Sequence, residues 1–303
     1  DFSLSRGLGD VYKRQDLINN NFEKKLKSKE FVFTAETSPP DSTVRSEITD
    51  RVLCLKDLAD AINVTDGASA KSHLSSLVVS SIIKDIEIEP ILQLTTRDRN
   101  RIAIQSDLLG AWTLNIQNIL CIYGDQVETG DQPETKEVRD LDTLGVINTA
   151  NYFKKEKKFP SGRSIKSAPE FFIGGADTPF EIDNKFDCAN LIKKIEQGVN
   201  FFQTQYAFDA QILKKYMDRL KKFNITKKAY YLVGLGVIKS AKSAKWMNKN
   251  LFGINIPDSI IQRLEDSTNE SKEGIKICIE LIEKYQEIEG VHGIHLMLSL
   301  IHI

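Results

Sequence analysis

Residues 198–209 read GVNFFQTQYAFD, and this stretch contains the pattern that recurs along the whole chain. Gly198 is typical of the end of a helix. The apolar run that follows predicts a strand over residues 201–208. After it, apolar residues recur at the spacing of one helical face. These residues are Ile212, Leu213, Tyr216, Met217 and Leu220.

Short strands alternate with longer helical patterns elsewhere too. The predicted strands are residues 31–37, 61–66, 90–95, 118–124, 171–176, 201–208, 230–236 and 293–297. Several are continuously apolar, as expected of parallel strands covered on both faces. Ser267 and Glu270 form a capping-box pattern ahead of the last helix. Eight strands with seven helical regions between them predict an α/β fold, a (β/α)8 TIM barrel whose eighth helix is truncated.

A doubly wound open sheet is the alternative fold. Such a sheet commonly carries a glycine-rich GxGxxG fingerprint after its first strand, because the pyrophosphate of a dinucleotide must approach the backbone there. The corresponding stretch of this chain, residues 38–43, reads SPPDST. The barrel is therefore the favoured prediction.

Both ends of the chain look foreign to the barrel. Residues 10–15, DVYKRQ, can be encoded by a DNA segment whose reverse complement encodes LSLIHI, the last six residues. One short element inverted at both ends resembles the transposon end of a sequencing library. Residues 1–15 and 298–303 are therefore predicted to be adapter-derived, and residues 16–297 to form a single barrel domain.

The composition argues against several classes of protein. The 303 residues carry a formal net charge of −1, with 41% hydrophobic and 27% charged residues. This balance gives no reason to expect a nucleic acid or a membrane surface as partner. The apolar runs are too short to cross a bilayer, so a soluble protein is expected. The four cysteines form no CxxC pair, which favours a reducing, cytoplasmic compartment over a zinc site or a disulfide framework.

The active site of such a barrel lies where the strands run into their following loops. Glu36 lies near the end of the first strand, before two prolines that stiffen the chain, and a carboxyl group in a buried strand suits a general acid. The alternative is an ion pair with Arg97 or Lys239. Asp125 follows Gly124, which allows a ligand to approach the backbone; alone it is better explained as a turn or capping residue. The next segment, residues 126–142, is predicted to be a mobile loop over the barrel opening.

Other polar residues have two explanations each. Gln205 lies in an apolar strand, where its amide could bind a heteroaromatic ring or a neighbouring strand end. Lys194 is more often a solvated cation near a helix end than a phosphate ligand. The lysine-rich residues 239–249 predict a solvated helix face. His73, His292 and His295 have no metal-ligand spacing and are interpreted as structural or incidental, so no metal is expected.

These strand-end motifs together resemble the methylenetetrahydrofolate reductase family over nearly all of residues 30–297. AETSPP (residues 35–40) is similar to the family's F-E-x-x-P-P, VTDGA (64–68) to V-T-x-G-A, and IYGD (122–125) to R/x-G-D. GVNFFQTQYAFD resembles the family's G-A-x-x-x-x-T-Q-x-x-F-D, and GVHGIHLM (290–297) resembles its closing strand. Five such motifs in order are specific, although each alone is weak.

The resemblance implies a flavoprotein that uses FAD to reduce 5,10-methylenetetrahydrofolate to 5-methyltetrahydrofolate in one-carbon metabolism. Glu36 would be the general acid, and Asp125 would lie beside the flavin and the pterin, where it would stabilise developing positive charge. Gln205 and Phe208 would bind the substrate together with Asp125. The residues implied to contact the cofactor are Thr65, Gln93, Tyr123, Gly124, Ala176, Asp187 and Lys194.

The chain departs from the family pattern at three places. Residues 175–177 read GAD where many members have an aromatic residue, Tyr123 stands where an arginine is common, and residues 233–237 read VGLGV in place of P-G-I-x-P. Two alternatives within the family therefore remain open. One is a flavin-free enzyme that passes hydride from a nicotinamide cofactor to folate. The other is a folate-binding subunit that needs an electron-transfer partner.

An unrelated phosphate-binding barrel, such as an aldolase or a synthase, is a further alternative. The glycines at 234 and 236 are a weak sign of a phosphate site after the seventh strand. No Schiff-base lysine is evident on a strand. For the folate reductase, NADH or NADPH is the expected electron donor, folate the expected ligand, and a homo-oligomer is compatible with the sequence.

Overall fold

The computed structural model describes residues 20–251 and 253–297, which form a closed barrel of parallel strands in the order β1 to β8. The strands are β1 (Val32–Thr37), β2 (Ala61–Val64), β3 (Pro90–Thr95), β4 (Asn118–Ile122), β5 (Phe172–Asp177), β6 (Phe201–Tyr206), β7 (Tyr230–Leu235) and β8 (Gly293–Leu296). β1 pairs with β8 through Val32 and Gly293. This closure confirms the predicted barrel and excludes the open sheet.

Helical segments connect each strand to the next and pack on the outside of the barrel. The helices are α1 (Asn21–Lys27), α2 (Arg45–Leu53), α3 (Ser76–Asp85), α4 (Arg101–Thr113), α5 (Thr143–Glu156), α6 (Ala189–Gln197), α7 (Ala210–Lys222), α8 (Ala241–Asn250), α9 (Asp258–Glu265) and α10 (Glu270–Gln286). The interval between β7 and β8 holds three of them. None of the described helices is long and apolar enough to span a membrane.

The predicted capping box at α10 is wrong. The side chain of Asn269 accepts a hydrogen bond from the Lys272 backbone N–H at 3.0 Å and caps the helix. Glu270 instead accepts a hydrogen bond from the backbone N–H of Ala241 at 2.8 Å. Its carboxylate therefore joins α10 to the first turn of α8. The predicted adapter-derived segments and the truncated eighth helix lie outside the described residues.

The amino end of the barrel is closed by α1 and filled with apolar side chains. Phe22 and Leu26 of α1 are buried against the first interior layer of the strands. The Phe22 ring packs edge-on against Phe172 and Phe201, with centroids 5.8 and 5.3 Å apart. Because the described residues fill this end, a ligand is expected at the carboxyl ends of the strands, here called the mouth.

Candidate active site

Glu36 lies at the mouth on the face of β1 that points into the barrel, because side chains alternate along a strand and Thr34 shares this face. The Glu36 side chain is 25% exposed. Its Oε2 accepts a hydrogen bond from Gln93 Nε2 at 3.2 Å and lies 3.7 Å from His295 Nε2. The carboxyl group is therefore held from below while one side stays open to the mouth.

The alternative ion pairs of Glu36 are wrong. Arg97 is directed at Asp98, to which its Nε donates at 2.7 Å. Lys239 is exposed on the loop after β7, and within residues 20–251 and 253–297 no ion pair joins it to Glu36. Glu36 therefore faces the mouth without an arginine or lysine bound to it, and its proton or charge remains available to a ligand.

A layer of buried polar side chains lies directly beneath Glu36. This polar layer consists of Thr34, Asn63, Gln203 and His295. Asn63 and Gln203 exchange two amide hydrogen bonds of 2.6 and 3.0 Å, and Thr34 Oγ1 lies 3.0 Å from His295 Nδ1. Gln203 Nε2, which can only donate, lies 3.4 Å from the same Nδ1. Gln203 also donates to Thr34 Oγ1 at 3.2 Å, so the four side chains form one connected network whose His295 Nε2 faces Glu36.

His295 is a site residue, whereas the sequence interpretation makes it structural or incidental. It is 3% exposed and lies beside Thr34 in the β1–β8 register. The strand period of two would have placed it in the interior with Gly293 and Met297. What the sequence lacked was the register that brings β8 next to β1.

Asp125 is held by loops. Its Oδ2 accepts a hydrogen bond from the Ser69 backbone N–H at 2.8 Å, and its backbone carbonyl accepts one from Arg97 at 3.2 Å. Gly124 before it has φ +83°, which a glycine adopts without strain. The carboxylate is exposed. Asp125 therefore joins the exit of β4 to the loop after β2, rather than capping a helix.

The loop after β2 makes a left-handed turn at residues 67–70. Ser69 and Ala70 have φ values of 57° and 53°, a region that costs a residue with a Cβ about 1–2 kcal/mol. The guanidinium of Arg97 donates to the carbonyl of Gly67 at 3.2 Å. This left-handed turn is what directs the N–H of Ser69 toward Asp125, so the surrounding contacts must offset its strain.

The predicted mouth loop, residues 126–142, is anchored on this side of the barrel. Its Val127 is buried, and the Val138 backbone N–H donates to the Arg97 carbonyl at 2.8 Å. The Arg139 guanidinium lies 3.6 Å from the centroid of the Tyr123 ring and donates to the Tyr123 carbonyl at 2.7 Å. One face of Tyr123 is therefore covered by Arg139, although the residue is 54% exposed.

Thr65 carries a buried side-chain hydroxyl at the mouth. The residue is 7% exposed, and its Oγ1 has no hydrogen-bond partner in the described part of the chain. It lies at the exit of β2, and its backbone N–H is bonded to the Thr37 carbonyl at the exit of β1. A buried hydroxyl without a partner costs free energy, which a ligand that supplies the hydrogen bond would recover.

Lys194 is not the solvated cation that its position on a helix predicted. Its side chain reaches inward from α6, and its Nζ donates to the carbonyl of Ala176 at 2.5 Å. Burial lowers the pKa of Lys194, and the nearby Asp177 opposes this shift. A partly buried ammonium next to the exit of β5 is suited to an anionic ligand.

Gln205 and Phe208 lie at the exit of β6. The Oε1 of Gln205 accepts a hydrogen bond from the Tyr206 backbone N–H at 3.0 Å. Phe208 is 2% exposed, stacks on the Tyr206 ring with centroids 5.6 Å apart, and lines a cavity of about 290 Å³. Burial and the charge of Glu36 raise the pKa of Tyr206 to about 12. Tyr206, which the sequence interpretation missed, also lines this cavity.

The predicted site residues thus form neighbouring groups around the mouth, with one outlier. The groups are Glu36, Thr65 and Gln93 at β1–β3, Tyr123, Gly124 and Asp125 after β4, Ala176 with Lys194 at β5, and Gln205 with Phe208 at β6. Asp187 lies farther out on an exposed loop and accepts a hydrogen bond from the Ala189 N–H at the start of α6.

Comparison with known proteins gives consistent matches. The model of the methylenetetrahydrofolate reductase family matches residues 21–299. The chain is 25% identical to a probable methylenetetrahydrofolate reductase (NADPH) of Caenorhabditis elegans, covering 97% of this chain and 44% of that protein. It is 24% identical to the 5,10-methylenetetrahydrofolate reductase of Salmonella typhimurium, covering 97% of this chain and 89% of that protein. The chain thus spans less than half of the worm relative.

Solved structures share the fold at low sequence identity. A Clostridium thermocellum protein that binds two copies of 5-methyl-5,6,7,8-tetrahydrofolic acid superposes with a TM-score of 0.61 at 14% identity, covering 91% of each chain. An F420-dependent secondary alcohol dehydrogenase gives a TM-score of 0.56 at 10% identity, covering 88% of this chain and 93% of that one. These likenesses concern the fold alone.

Proposed function

Since this chain belongs to the methylenetetrahydrofolate reductase family, we propose that it reduces 5,10-methylenetetrahydrofolate to 5-methyltetrahydrofolate with a bound flavin. The observation that carries the proposal is the position of Glu36. Its carboxyl group faces the mouth and is held by Gln93 at 3.2 Å, with His295 Nε2 at 3.7 Å. The reaction needs one proton donor for a leaving nitrogen, and Glu36 supplies it.

The residues at the mouth fit a flavin. The Thr65 hydroxyl is buried without a partner and suits a polar edge of the ring, while the Lys194 ammonium suits a phosphate. Gln93, Tyr123, Gly124, Ala176 and Asp187 complete the predicted set of contacts. A bound FAD would supply the hydride-transfer chemistry that no side chain of this protein can perform.

Each side chain then has one task. Glu36 donates a proton to the bridging nitrogen of the methylene group, which opens the five-membered ring and leaves a cationic one-carbon unit. The Asp125 carboxylate stabilises that positive charge. The amide of Gln205 hydrogen-bonds the pterin, and the cavity lined by Phe208 receives an apolar part of the substrate.

The electron donor is proposed to be a nicotinamide dinucleotide. The name of the worm relative specifies NADPH, and the mouth is the end of the barrel at which such a fold binds its ligands. NADH, NADPH and a partner protein are distinguished by asking which of them reduces the purified protein.

An anaerobic visible spectrum tests the proposal. The protein supplied with FAD is expected to show a flavin absorption band, and adding 5-methyltetrahydrofolate should bleach it, because the reaction runs in reverse. A folded protein that takes up no flavin but reduces folate with NADPH would favour the flavin-free enzyme. A flavin band unchanged by folate, but bleached by an added electron-transfer protein, would favour the partner-dependent subunit.

A further inference from the structure

A partly buried carboxylate lies outside the site described above, on the outer face of the barrel. Asp177 is the last residue of β5. It accepts hydrogen bonds from the Tyr216 hydroxyl at 2.9 Å to Oδ2 and 3.1 Å to Oδ1, and a further one from the Tyr231 hydroxyl. Tyr216 is 1% and Tyr231 0% exposed. The two phenols come from α7 and β7, so three elements meet at this carboxylate.

The two phenols solvate the carboxylate without neutralising it. Hydroxyl groups are neutral donors, and a buried negative charge remains costly unless a cation is near. The cation at this position is Lys194, whose ammonium is bonded to the carbonyl of Ala176, the residue before Asp177. Among the described residues no direct ion pair joins Lys194 to Asp177. The carbonyl holds the ammonium, and the carboxylate acts on it through space.

The charges of the two groups depend on each other. Burial lowers the pKa of Lys194, and Asp177 raises it again. Burial raises the pKa of Asp177 above its ordinary value, and the hydrogen bonds from Tyr231 and Tyr216, the N–H of Thr178 and the charge of Lys194 offset this only in part. Removing the carboxylate would thus lower the pKa of Lys194 further and weaken the attraction that holds its ammonium in place.

We propose that Asp177 is a positioning residue that keeps Lys194 charged and fixed at the exit of β5, where its ammonium binds the phosphate groups of the flavin dinucleotide. The ammonium has three donors, and the structure uses one of them on the Ala176 carbonyl. Among the residues that the structure describes, the other two have no hydrogen-bond partner and can serve an anion at the mouth. This inference rests on the proposed function, since it concerns the flavin of that site.

Asp177→Asn tests the charge with little change in shape. The asparagine oxygen still accepts a phenol hydrogen bond, but the negative charge is gone. Equilibrium titrations of the apoprotein with riboflavin, FMN and FAD, followed by flavin fluorescence, separate the ring from the phosphates. We expect the dissociation constants of FMN and FAD to rise about tenfold, the scale of one charge-assisted hydrogen bond, with riboflavin unchanged.

Lys194→Met and the double variant show whether Asp177 acts through the lysine. Lys194→Met should weaken FAD binding at least as much as Asp177→Asn, again sparing riboflavin. Adding Asp177→Asn to Lys194→Met should cause no further loss, because the group through which the carboxylate acts is already absent. Additive losses would overturn the positioning role.

Glu89→Gln is the matched control. Glu89 is also a buried carboxylate near a lysine, bonded to Lys84 at 2.9 Å and to Asn118 at 2.9 Å, but it precedes β3 at the closed end of the barrel. Its variant should lose stability and keep the wild-type ratio of FAD to riboflavin affinity. If Asp177→Asn does not fold, Tyr216→Phe is the second variant, because it removes a hydrogen bond to the same carboxylate. It should cause a smaller loss of affinity that is again confined to the phosphorylated flavins.

The outcomes separate this inference from the proposed function. A folded wild-type protein that binds none of the three flavins contradicts the flavin itself. Wild-type binding of FAD that Asp177→Asn leaves unchanged, or that falls equally for riboflavin and FAD, overturns the role of Asp177 alone. A loss confined to the phosphorylated flavins and absent in the Lys194→Met background supports it.

Discussion

Glu36 and Asp125, two carboxylates at the mouth, are supported in different ways. Glu36 lies on a strand, and its partners Gln93 and His295 lie on β3 and β8, so the register of the barrel sets their distances. Asp125 lies on a loop, and its partner is a backbone N–H of the left-handed turn. The first arrangement is built from side chains in the barrel interior, the second from main chain outside it.

This difference sets how each carboxylate responds to change. The polar layer beneath Glu36 is buried and hydrogen-bonded within itself, so a substitution there acts locally on chemistry or on core packing. The left-handed turn carries strain at two residues and depends on Arg97, Asp125 and the mouth loop to hold it. Small changes in several distant loops should therefore move Asp125 and leave Glu36 in place.

The largest expected effect is that of Glu36→Gln. The amide keeps the size of the side chain and can still accept from Gln93, but it cannot donate a proton to the leaving nitrogen. We expect folate reduction to fall roughly 10²–10⁴-fold while flavin affinity and thermal stability stay near wild type. Turnover, flavin titration and thermal unfolding measure the three quantities. Glu87→Gln, at a side chain that is 86% exposed, is the matched control and should change neither.

Wild-type turnover in Glu36→Gln would remove Glu36 from the reaction. A combined loss of turnover and flavin binding would instead indicate that the substitution disturbs the polar layer. The comparison with Asp125 would then fail too, because Glu36 would no longer be the carboxylate whose support is independent of the ligand-binding loops.

The mouth loop and the left-handed turn together form the side of the mouth that holds Asp125, here called the loop-built side. Gly130→Ala should disturb this side without touching either carboxylate. A Cβ at Gly130 would lie 2.1 Å from the Ala70 carbonyl oxygen, so the mouth loop or the left-handed turn must shift. We expect the Ser69–Asp125 hydrogen bond to be lost, with a stability cost of about 1–3 kcal/mol. Turnover should fall about tenfold, the scale of one lost charge-assisted hydrogen bond. Thermal unfolding and steady-state kinetics measure both.

Gly110→Ala is the matched control for that substitution. Gly110 lies within α4, where the nearest atom to an added Cβ is Leu77 Cδ2 at 3.6 Å, an ordinary contact. The change should leave activity alone and raise stability slightly, because alanine is the better helix former. Equal behaviour of the two variants would show that the close approach of the mouth loop to the left-handed turn does not support Asp125.

The barrel could be predicted because local sequence patterns indicate the strands and the helical regions between them. Continuous apolar runs and helical spacing located all eight strands within two residues at either end. Glu36 followed from the same rules, since strand alternation and the carboxyl-end position are local features. The start of α10 shows the limit of these local rules. Asn269 caps the helix in place of Ser267, and Glu270 bonds to the first turn of α8.

What the sequence could not supply was contact between distant segments. His295 meets Glu36 only because β8 closes on β1, and Lys194 is buried only because α6 packs its side chain toward β5. The positive φ of Ser69 and Ala70 could not be predicted either, since neither residue type favours it. The contacts that hold this conformation come from Arg97 and Asp125, which lie 28 and 56 residues after Ser69 in the sequence.

The last expected effect concerns stability alone, and it is the loosening of the loop-built side in acid. Asp66 joins the exits of β2 and β3, because its carboxylate accepts from the Thr95 N–H at 2.9 Å and from Arg99 at 2.6 Å. Burial alone would raise its pKa, but the hydrogen bonds and charge of Arg99 and the bonds from Thr95 outweigh burial and hold the pKa below its ordinary value of 3.8.

A lowered pKa in the folded state means that Asp66 contributes stability above its ordinary pKa and loses that contribution only as the pH falls through the lower value. Asp66→Asn should therefore be about 3 kcal/mol less stable than wild type from pH 7 to pH 5, the cost of breaking a buried pair. The difference should begin to shrink only below about pH 4, near the unperturbed aspartate value, and vanish below the lowered pKa. Denaturant unfolding across this range measures the difference. Convergence already between pH 7 and pH 5 would mean that the carboxylate is protonated in the folded protein, and that the loop-built side depends on something other than the charge of Asp66.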